Sequence, residues 1–526
     1  MTASAPRVVT RAGGHLDVLD GVRALAAFAV VGTHVGFQTG RAVDGFFAPF
    51  LARLDFGVTL FFLLSGFLLY RPFVEAAMDL RPRPESKAFL LRRFARIFPA
   101  YWALLAVTML VRPWEHPVGF TIQKTTWIDW IEYATLTHIY FGDNPHQALT
   151  HIWSLVVEMS FYLALPLIAA VSLKGRRPRR IMRRQTIALA VLFAIGPLWG
   201  LVIHQIPTMR DDWLALQWLP GYLDWFALGM ILACLPSAAS VGAWPRLRKL
   251  AEDLATAPGT CWIIAGILFA LSMTPVAGPY TLAPATTSQW IAKHLLYGAT
   301  AFFMLLPLVS PAPAGGRTHP LRAALVDRRV RWLGEISYGV FLFHLVIMFV
   351  LVDALNLELF RGGYSTLFPL TVLAAVVAAA LSYRLLERPA QNYIRRRTRH
   401  GAADIQARDA APAVAPVTPV AVDSEPAPEA LPDPEEQPAL PQPPEPTVRW
   451  DYQHPVQLGP WVPQQPGAPE PENERTTEPI PHLPPPPQDS VPLDLPSVGV
   501  PPVGPPPVGS PPSWPATPPA PRRPAD

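Results

Sequence analysis

Half of the 526 residues are apolar and only 16% are charged, whereas about a quarter of an ordinary soluble chain is charged. Basic and acidic side chains number 38 and 22 in residues 1–400 but 5 and 17 in residues 401–526, which also hold 38 of the 64 prolines. This composition excludes a fibrous or collagen-like protein. The two cysteines, Cys234 and Cys261, lie in apolar runs and form no disulfide scaffold. The basic residues cluster between apolar runs of about 20 residues, which is typical of a polytopic membrane protein and not of a nucleic-acid-binding surface.

The apolar runs predict an all-α membrane protein, a bundle of about ten transmembrane helices with a disordered, proline-rich C-terminal tail. A polar N-terminal segment, 1–18, precedes a transmembrane domain that covers 19–395. The spans are placed at 19–38, 56–73, 96–112, 152–172, 186–205, 214–235, 259–274, 289–310, 333–354 and 365–387. The run at 259–274 is the shortest and is marginal for a full span.

Charge in the loops predicts the orientation of the bundle. One set of loops, 71–96, 174–184, 246–249 and 317–331, carries 22 Lys and Arg residues, and the loops on the other side carry six. The positive-inside rule places the first set in the cytoplasm. Both termini are then cytoplasmic, as an even number of spans requires.

The tail, 401–526, is rich in proline and acidic residues and includes the loose repeat VGVPPVGPPPVGSPP. Proline favours polyproline II and acidic charge keeps a chain expanded, so we expect disorder here. The tail is either a solvated, charge-balancing segment or a docking site for a proline-reading or envelope-assembly protein.

Two ionisable residues lie in the first span, LDVLDGVRALAAFAVVGTHVGF. Arg23 and His34 are eleven residues apart, close to three full turns, so they share one helix face about 16 Å apart along the axis. Ionisable groups inside a membrane are costly and are functional candidates. A cation near one end and a titratable imidazole deeper along the same face suit a long ligand with an anionic head. The alternative is that Arg23 snorkels and His34 hydrogen-bonds a neighbouring helix.

Two further motifs favour a donor-binding region. In FFLLSGFLL, the small pair Ser65 and Gly66 permits close approach of a ligand or of another helix. In FLLRRFARIFPAYW, Arg92 and Arg96 share a face at i, i+4, with Arg93 beside them. Arginine forks match phosphate geometry, although the cluster could equally be a positive-inside anchor or a lipid-headgroup site.

The fourth and ninth spans add polar candidates. HIWSLVVEMSFYLALP carries Trp153, Glu158 and Tyr162, and GEISYGVFLFH carries His344 near mid-membrane. Glu158 lies at a depth comparable with His34, so it could orient that imidazole or pair with another helix. The outer-loop histidines are irregularly spaced and fit no zinc pattern, so we predict no metal; they are His116, His138, His146 and His151.

Six motifs in order, LDGVRALAAFAVVGTH, FFLLSGFLL, RRFARIFPAYW, WSLVVEMSFY, GEISYGVFLFH and ERP, resemble the acyltransferase-3 family of bacterial membrane acyltransferases over residues 16–395. The resemblance implies a roughly ten-helix core in the bacterial plasma membrane. It also implies transfer of an acyl group from cytoplasmic acyl-CoA, a co-substrate and not a permanently bound cofactor, to a hydroxyl on an envelope sugar or glycolipid. The family's motif positions fall on Arg23, His34, Ser65, Gly66, Arg92, Arg96, Trp153 and Glu158.

In this interpretation His34 is the base or the acyl carrier, and Glu158 is the weaker choice for an orienting carboxylate. The arginines with Ser65 and Gly66 bind the donor, and Trp153, Tyr162 and His344 are candidates for lining the site. Many family members carry an extracytoplasmic SGNH hydrolase-like domain after the core, where this chain has its proline-rich tail. A multi-pass transporter or flippase of an envelope precursor is the alternative, although transporters more often show internal repeats.

Overall fold

The computed structural model describes residues 13–78, 83–111, 126–141, 146–206, 214–280, 285–310 and 319–409. Every regular element in these ranges is helical, which confirms the predicted all-α architecture. The predicted tail lies outside the described residues beyond Asp409, as does most of the predicted N-terminal segment.

In the part of the chain that the structure describes, ten predominantly apolar helices form the bundle. In chain order they are α1 (Gly13–Gln38), α2 (Gly57–Ala77), α3 (Ser86–Val111), α4 (Trp153–Ser172), α5 (Pro178–Gln205), α6 (Leu223–Ser240), α7 (Pro258–Ser272), α8 (Thr287–Val309), α9 (Ser337–Ala354) and α10 (Tyr364–Ser382). Shorter or more polar helices connect or extend them; those with at least eight residues are Trp127–Thr135, Pro245–Thr256, Arg328–Glu335 and Arg388–Asp409. Each predicted span corresponds to one of the ten.

Eight helical segments in the described ranges are long and apolar enough to cross a bilayer. A ninth is added if Pro245–Thr256 and α7, which are bent by 98°, count as one span. Helix α3 is outside this set; it begins ten residues before the predicted third span, and its first three turns carry Lys87, Arg92, Arg93 and Arg96. The predicted count of about ten therefore holds approximately.

Glycines hold α2 and α6 in close contact. A Cβ on Gly66 would lie 2.2 Å from the Phe226 carbonyl oxygen, and a Cβ on Gly229 would lie 2.0 Å from the Leu63 carbonyl oxygen. Only glycine permits this backbone approach. The reciprocal contact fixes how α2 is rotated and directs Ser65 toward α4.

The first turns of α1 are held by the helix Arg328–Glu335. A Cβ on Gly334 would lie 2.0 Å from the Asp20 carbonyl oxygen, and Arg331 forms an ion pair with Asp17 at 3.1 Å. These contacts set the position of Arg23, whose guanidinium is paired with Asp20 at 2.5 Å.

The other end of α1 packs near a buried polar group that the sequence does not reveal. Arg53 is 3% exposed and donates hydrogen bonds to the carbonyl oxygens of Ser272, Ala277 and Gly278 at 2.8, 3.0 and 2.6 Å. These carbonyls lie at and just beyond the C-terminal end of α7, where backbone acceptors lack intrahelical partners. Arg53 thereby joins α7 to the start of α2.

Candidate active site

A cavity of about 260 Å³ lies between α1, α2, α3, α4 and α9. Its polar lining includes Ser154, Ser337 and Tyr338. It also includes six residues from four helices, Arg23, Ser65, Arg93, Arg96, Glu158 and Tyr162. Five of these six are sequence-predicted site residues, and the sixth, Arg93, belongs to the same predicted arginine cluster. The structure thus brings together side chains that are up to 139 positions apart in the chain.

Positive charge dominates the cavity wall. Arg96 has no hydrogen-bond or ion-pair partner within the described residues, and it is close enough to Arg23 and Arg93 for their like charges to repel. The buried Nε of Arg93 also lacks a partner there, and its guanidinium lies 5.8 Å from the ring centres of Phe89 and Tyr162. Because Glu158 is the one carboxylate in the lining, the cavity favours an anion.

Arg92 is placed differently from its neighbours. It is exposed and does not line the cavity, whereas Arg93 and Arg96 do. The spacing of Arg92 and Arg96 predicts that the two share one helix face. In the bundle, α3 is rotated so that Arg93 and Arg96 line the cavity and Arg92 lies outside it.

Glu158 is engaged inside the cavity. Its Oε1 accepts hydrogen bonds from Ser65 Oγ at 2.6 Å and from Tyr162 OH at 2.5 Å, the latter one helical turn away on α4. No hydrogen bond joins Glu158 to His34 in the described part of the chain. The structure therefore places Glu158 as part of the cavity wall and gives His34 another partner.

Gly66 and Trp153 lie away from the cavity. Gly66 faces α6, so its small size is explained by the helix contact described above. Trp153 packs its ring against Tyr222 and Phe62, at centroid distances of 5.1 and 6.3 Å. Phe62 also lines the cavity, so Trp153 supports the wall from behind.

His34 is half-buried and contacts His344, which comes from α9, 310 positions later. The Nδ1 atom of His34 lies 2.9 Å from the Val30 carbonyl oxygen and 3.1 Å from His344 Nε2. A carbonyl can only accept, so Nδ1 of His34 carries the hydrogen. In the neutral ring the lone pair is then on Nε2, which makes no hydrogen bond with the described residues.

A third histidine completes a cluster with His34 and His344. His151, predicted as an outer-loop residue, lies just before α4, is 3% exposed and donates from Nε2 to the Leu342 carbonyl oxygen at 3.0 Å. Its ring centroid is 4.9 Å from that of His344 and 6.5 Å from that of His34. Nothing in the spacing of the loop histidines distinguished it. Within the described ranges no group of three or more His, Cys, Asp or Glu residues is arranged to hold a metal ion.

Phe341 separates the cavity from this histidine cluster. Its ring lines the cavity and lies 5.2 Å from His151 and 5.9 Å from His344, centroid to centroid. Phe61, 6.1 Å from Phe341, lines the same end. A ligand with its anionic head at the arginines would therefore approach His34 past two phenylalanine rings.

This chain belongs to the acyltransferase-3 family. The family profile, described as an acyltransferase domain, matches residues 16–385. This range contains the cavity, the three histidines and all ten bundle helices except for residues 13–15 at the start of α1. With the helical spans, membership identifies a multi-pass membrane protein.

The curated relatives that this chain matches have low sequence identity to it. The peptidoglycan O-acetyltransferase OatA of Listeria monocytogenes is 24% identical over 400 residues, which cover 71% of this chain and 56% of that protein. The O-acetyltransferase OatA of Staphylococcus aureus is 26% identical over 71% of this chain and 57% of its own length. Nodulation protein 10 of Rhizobium leguminosarum bv. viciae is 26% identical over 72% of this chain and 94% of its own length. The chain thus spans little more than half of the two OatA proteins. No solved structure shows significant similarity to it.

Proposed function

We propose that this protein transfers an acyl group, acetyl or similar, from cytoplasmic acyl-CoA to a hydroxyl of a cell-envelope carbohydrate or glycolipid. The observation that carries the proposal is the arrangement along α1. Arg23 lines an arginine-rich cavity, and His34, on the same helix face, holds an unshared lone pair on Nε2. An anion-binding site followed by a base or nucleophile is what transfer from a phosphorylated thioester requires.

The donor would bind with its phosphates at the arginines. A volume of about 260 Å³ is below the roughly 300–1,000 Å³ typical of sites for whole drug-sized ligands, so only the narrow thioester arm fits inside. The nucleotide end would remain at the mouth of the cavity. Positive-inside charge places this end toward the cytoplasm, where acyl-CoA is available, and makes both termini cytoplasmic.

The transfer needs one base at the thioester. An acceptor hydroxyl oxygen attacks the carbonyl carbon while His34 Nε2 takes its proton; the C–S bond breaks, and the leaving thiolate then receives that proton. Alternatively, Nε2 attacks the carbonyl carbon first, the C–S bond breaks and the thiolate leaves; the acceptor hydroxyl oxygen then displaces the acyl group from Nε2, and the hydroxyl proton passes to the thiolate. Both routes use the lone pair that the hydrogen bonding of Nδ1 leaves free.

An envelope carbohydrate is the acceptor class best supported by the relatives. Two of them are named O-acetyltransferases, and one is named for peptidoglycan. The present chain covers only part of those proteins, so the specific sugar is left to experiment. A reporter enzyme fused at residue 409 should behave as a cytoplasmic protein; activity in a reporter that works only outside the cytoplasm would contradict the orientation.

The test is acyl transfer by detergent-purified protein with acetyl-CoA and envelope glycans or glycolipids as acceptors. We expect equal amounts of released coenzyme A thiol and acylated product, the first measured with a thiol-reactive dye and the second by mass spectrometry. His34→Ala and His34→Gln should each lower turnover at least about 100-fold, because both lack a titratable imidazole, while donor affinity stays near wild type.

Two results would oppose the proposal. Near-wild-type turnover by His34→Gln would make His34 a packing residue, since glutamine retains a hydrogen bond but cannot act as the base. Acceptor movement across reconstituted vesicles without thiol release would identify a transporter or flippase.

A further inference from the structure

We infer that His344 is the positioning residue of this site: it accepts a hydrogen bond from His34 Nδ1–H and so holds the Nε2 lone pair of His34 toward the substrate. The inference rests on the proposed role of His34. It assigns to an imidazole from α9 the task that the sequence suggested for a carboxylate.

The backbone determines the direction of the hydrogen bond. His344 Nδ1 lies 2.5 Å from the Phe341 carbonyl oxygen, which can only accept, so Nδ1 of His344 carries a hydrogen. In the neutral ring Nε2 of His344 is then an acceptor, and it faces His34 Nδ1 at 3.1 Å. The Val30 carbonyl likewise requires a hydrogen on His34 Nδ1, so this one hydrogen is shared in a three-centre bond between the Val30 oxygen at 2.9 Å and the acceptor His344 Nε2 at 3.1 Å.

Carboxylates near this site are already engaged. Glu158 accepts from Ser65 and Tyr162 in the cavity. Asp55, at the start of α2, is paired with Lys293 at 2.6 Å and accepts from Tyr297 OH at 2.5 Å. In a Ser-His-Asp triad an aspartate accepts the hydrogen bond from the histidine Nδ1–H. Here the neutral imidazole of His344 accepts that bond from His34.

This arrangement has a consequence for the transfer step. When His34 Nε2 takes the hydroxyl proton, the ring becomes an imidazolium and its Nδ1–H bond to His344 becomes charge-assisted, hence shorter and stronger. His344 is 0% exposed, so water does not compete for that bond. The stabilisation exists only while His34 is protonated or acylated, so it should affect turnover and leave donor binding unchanged.

Two substitutions at His344 separate positioning from packing. In His344→Gln the amide oxygen reaches the place of Nε2 and can still accept from His34. In His344→Asn the amide reaches only the place of Nδ1, so it can satisfy the Phe341 carbonyl but cannot reach His34. We expect His344→Asn to lower kcat about 100-fold and His344→Gln to lower it less than about 10-fold, with the KM for acetyl-CoA within about 3-fold of wild type in both.

His138→Gln is the matched control. His138 is also a buried histidine, 7% exposed, but its ring stacks on Tyr133 at 4.2 Å, and within the described residues it neither lines the cavity nor contacts His34. We expect its kcat to stay within about 3-fold of wild type. Each protein is first shown to be monodisperse and to bind acetyl-CoA, so that loss of fold is not read as loss of rate.

Three outcomes would overturn the inference: unchanged kcat in His344→Asn, equal losses in the Asn and Gln variants of His344, or a loss in His138→Gln as large as in His344→Asn. The proposed function has a separate test. If His34→Ala is inactive and His344→Asn is fully active, only the positioning role fails; if His34→Ala remains active, the catalytic role of His34 fails first.

Discussion

Replacing Arg96 by alanine should weaken acyl-CoA binding by about 10- to 150-fold. Arg96 lines the cavity and makes no hydrogen bond or ion pair with the described residues; the charge of buried Glu387 acts on it from a greater distance, so its N–H groups can donate to a phosphate. A hydrogen bond to a charged group contributes about 1.5–3 kcal/mol, and each 1.4 kcal/mol corresponds to about tenfold in the dissociation constant. Arg96→Lys should restore little of the loss if the contact is bidentate, because lysine lacks the planar fork.

Arg92→Ala is the matched control for this prediction. Arg92 lies one turn earlier on α3 and loses the same charge, but it is exposed and outside the cavity. A general effect of charge on insertion or on the surface potential would appear in both variants. The measurement is equilibrium binding of a non-hydrolysable acyl-CoA analogue to purified protein, and we expect Arg92→Ala to stay within about 3-fold of wild type. Equal losses in the two variants, or no loss in Arg96→Ala, would refute the assignment of the cavity to the donor.

Gly66→Ala should lower the yield of folded protein because the new Cβ would lie 2.2 Å from the Phe226 carbonyl oxygen. The neighbouring variant Ser65→Ala is the control and should fold normally. Wild-type amounts of monodisperse Gly66→Ala after size exclusion would contradict this prediction. Acidification should loosen the helices Trp127–Thr135 and His138–Phe141, which lie outside the candidate spans, together with His146, which packs against Trp130 and Tyr133. Burial lowers the pKa of His138 to about 3 and that of His146 to about 4. Below pH ~6.5 the unfolded segment binds more protons than the folded segment does. The free energy of unfolding therefore has its full value above pH ~6.5, and it falls by at most about 1.4 kcal/mol per histidine for each pH unit down to about 4. Hydrogen exchange, corrected for intrinsic rates, should show the loss, and His138→Gln should reduce it; protection independent of pH would count against it.

The helices and one axis of the site follow from local sequence alone. A backbone in a membrane must satisfy its hydrogen bonds internally, so each apolar run of sufficient length becomes a helix wherever it packs. Arg23 and His34 are eleven residues apart on α1, and helical geometry places them on one face without knowledge of any neighbour. The basic loops likewise predicted which end of the bundle would hold the arginines.

Which side chains meet depends on how the helices pack against one another. Helix α9 is apolar around its whole circumference, so no periodicity indicated that His344 would face His34 from 310 positions away. The rotation of α3 selected Arg93 over Arg92, and the close contact of α2 with α6 brought Ser65 to Glu158. Such rotations are set by packing between helices that are distant in the chain, and local sequence carries no record of them. For the same reason His151, indistinguishable among four loop histidines, becomes part of the site only because the short helix Gln147–Ile152, which carries it, packs against α9.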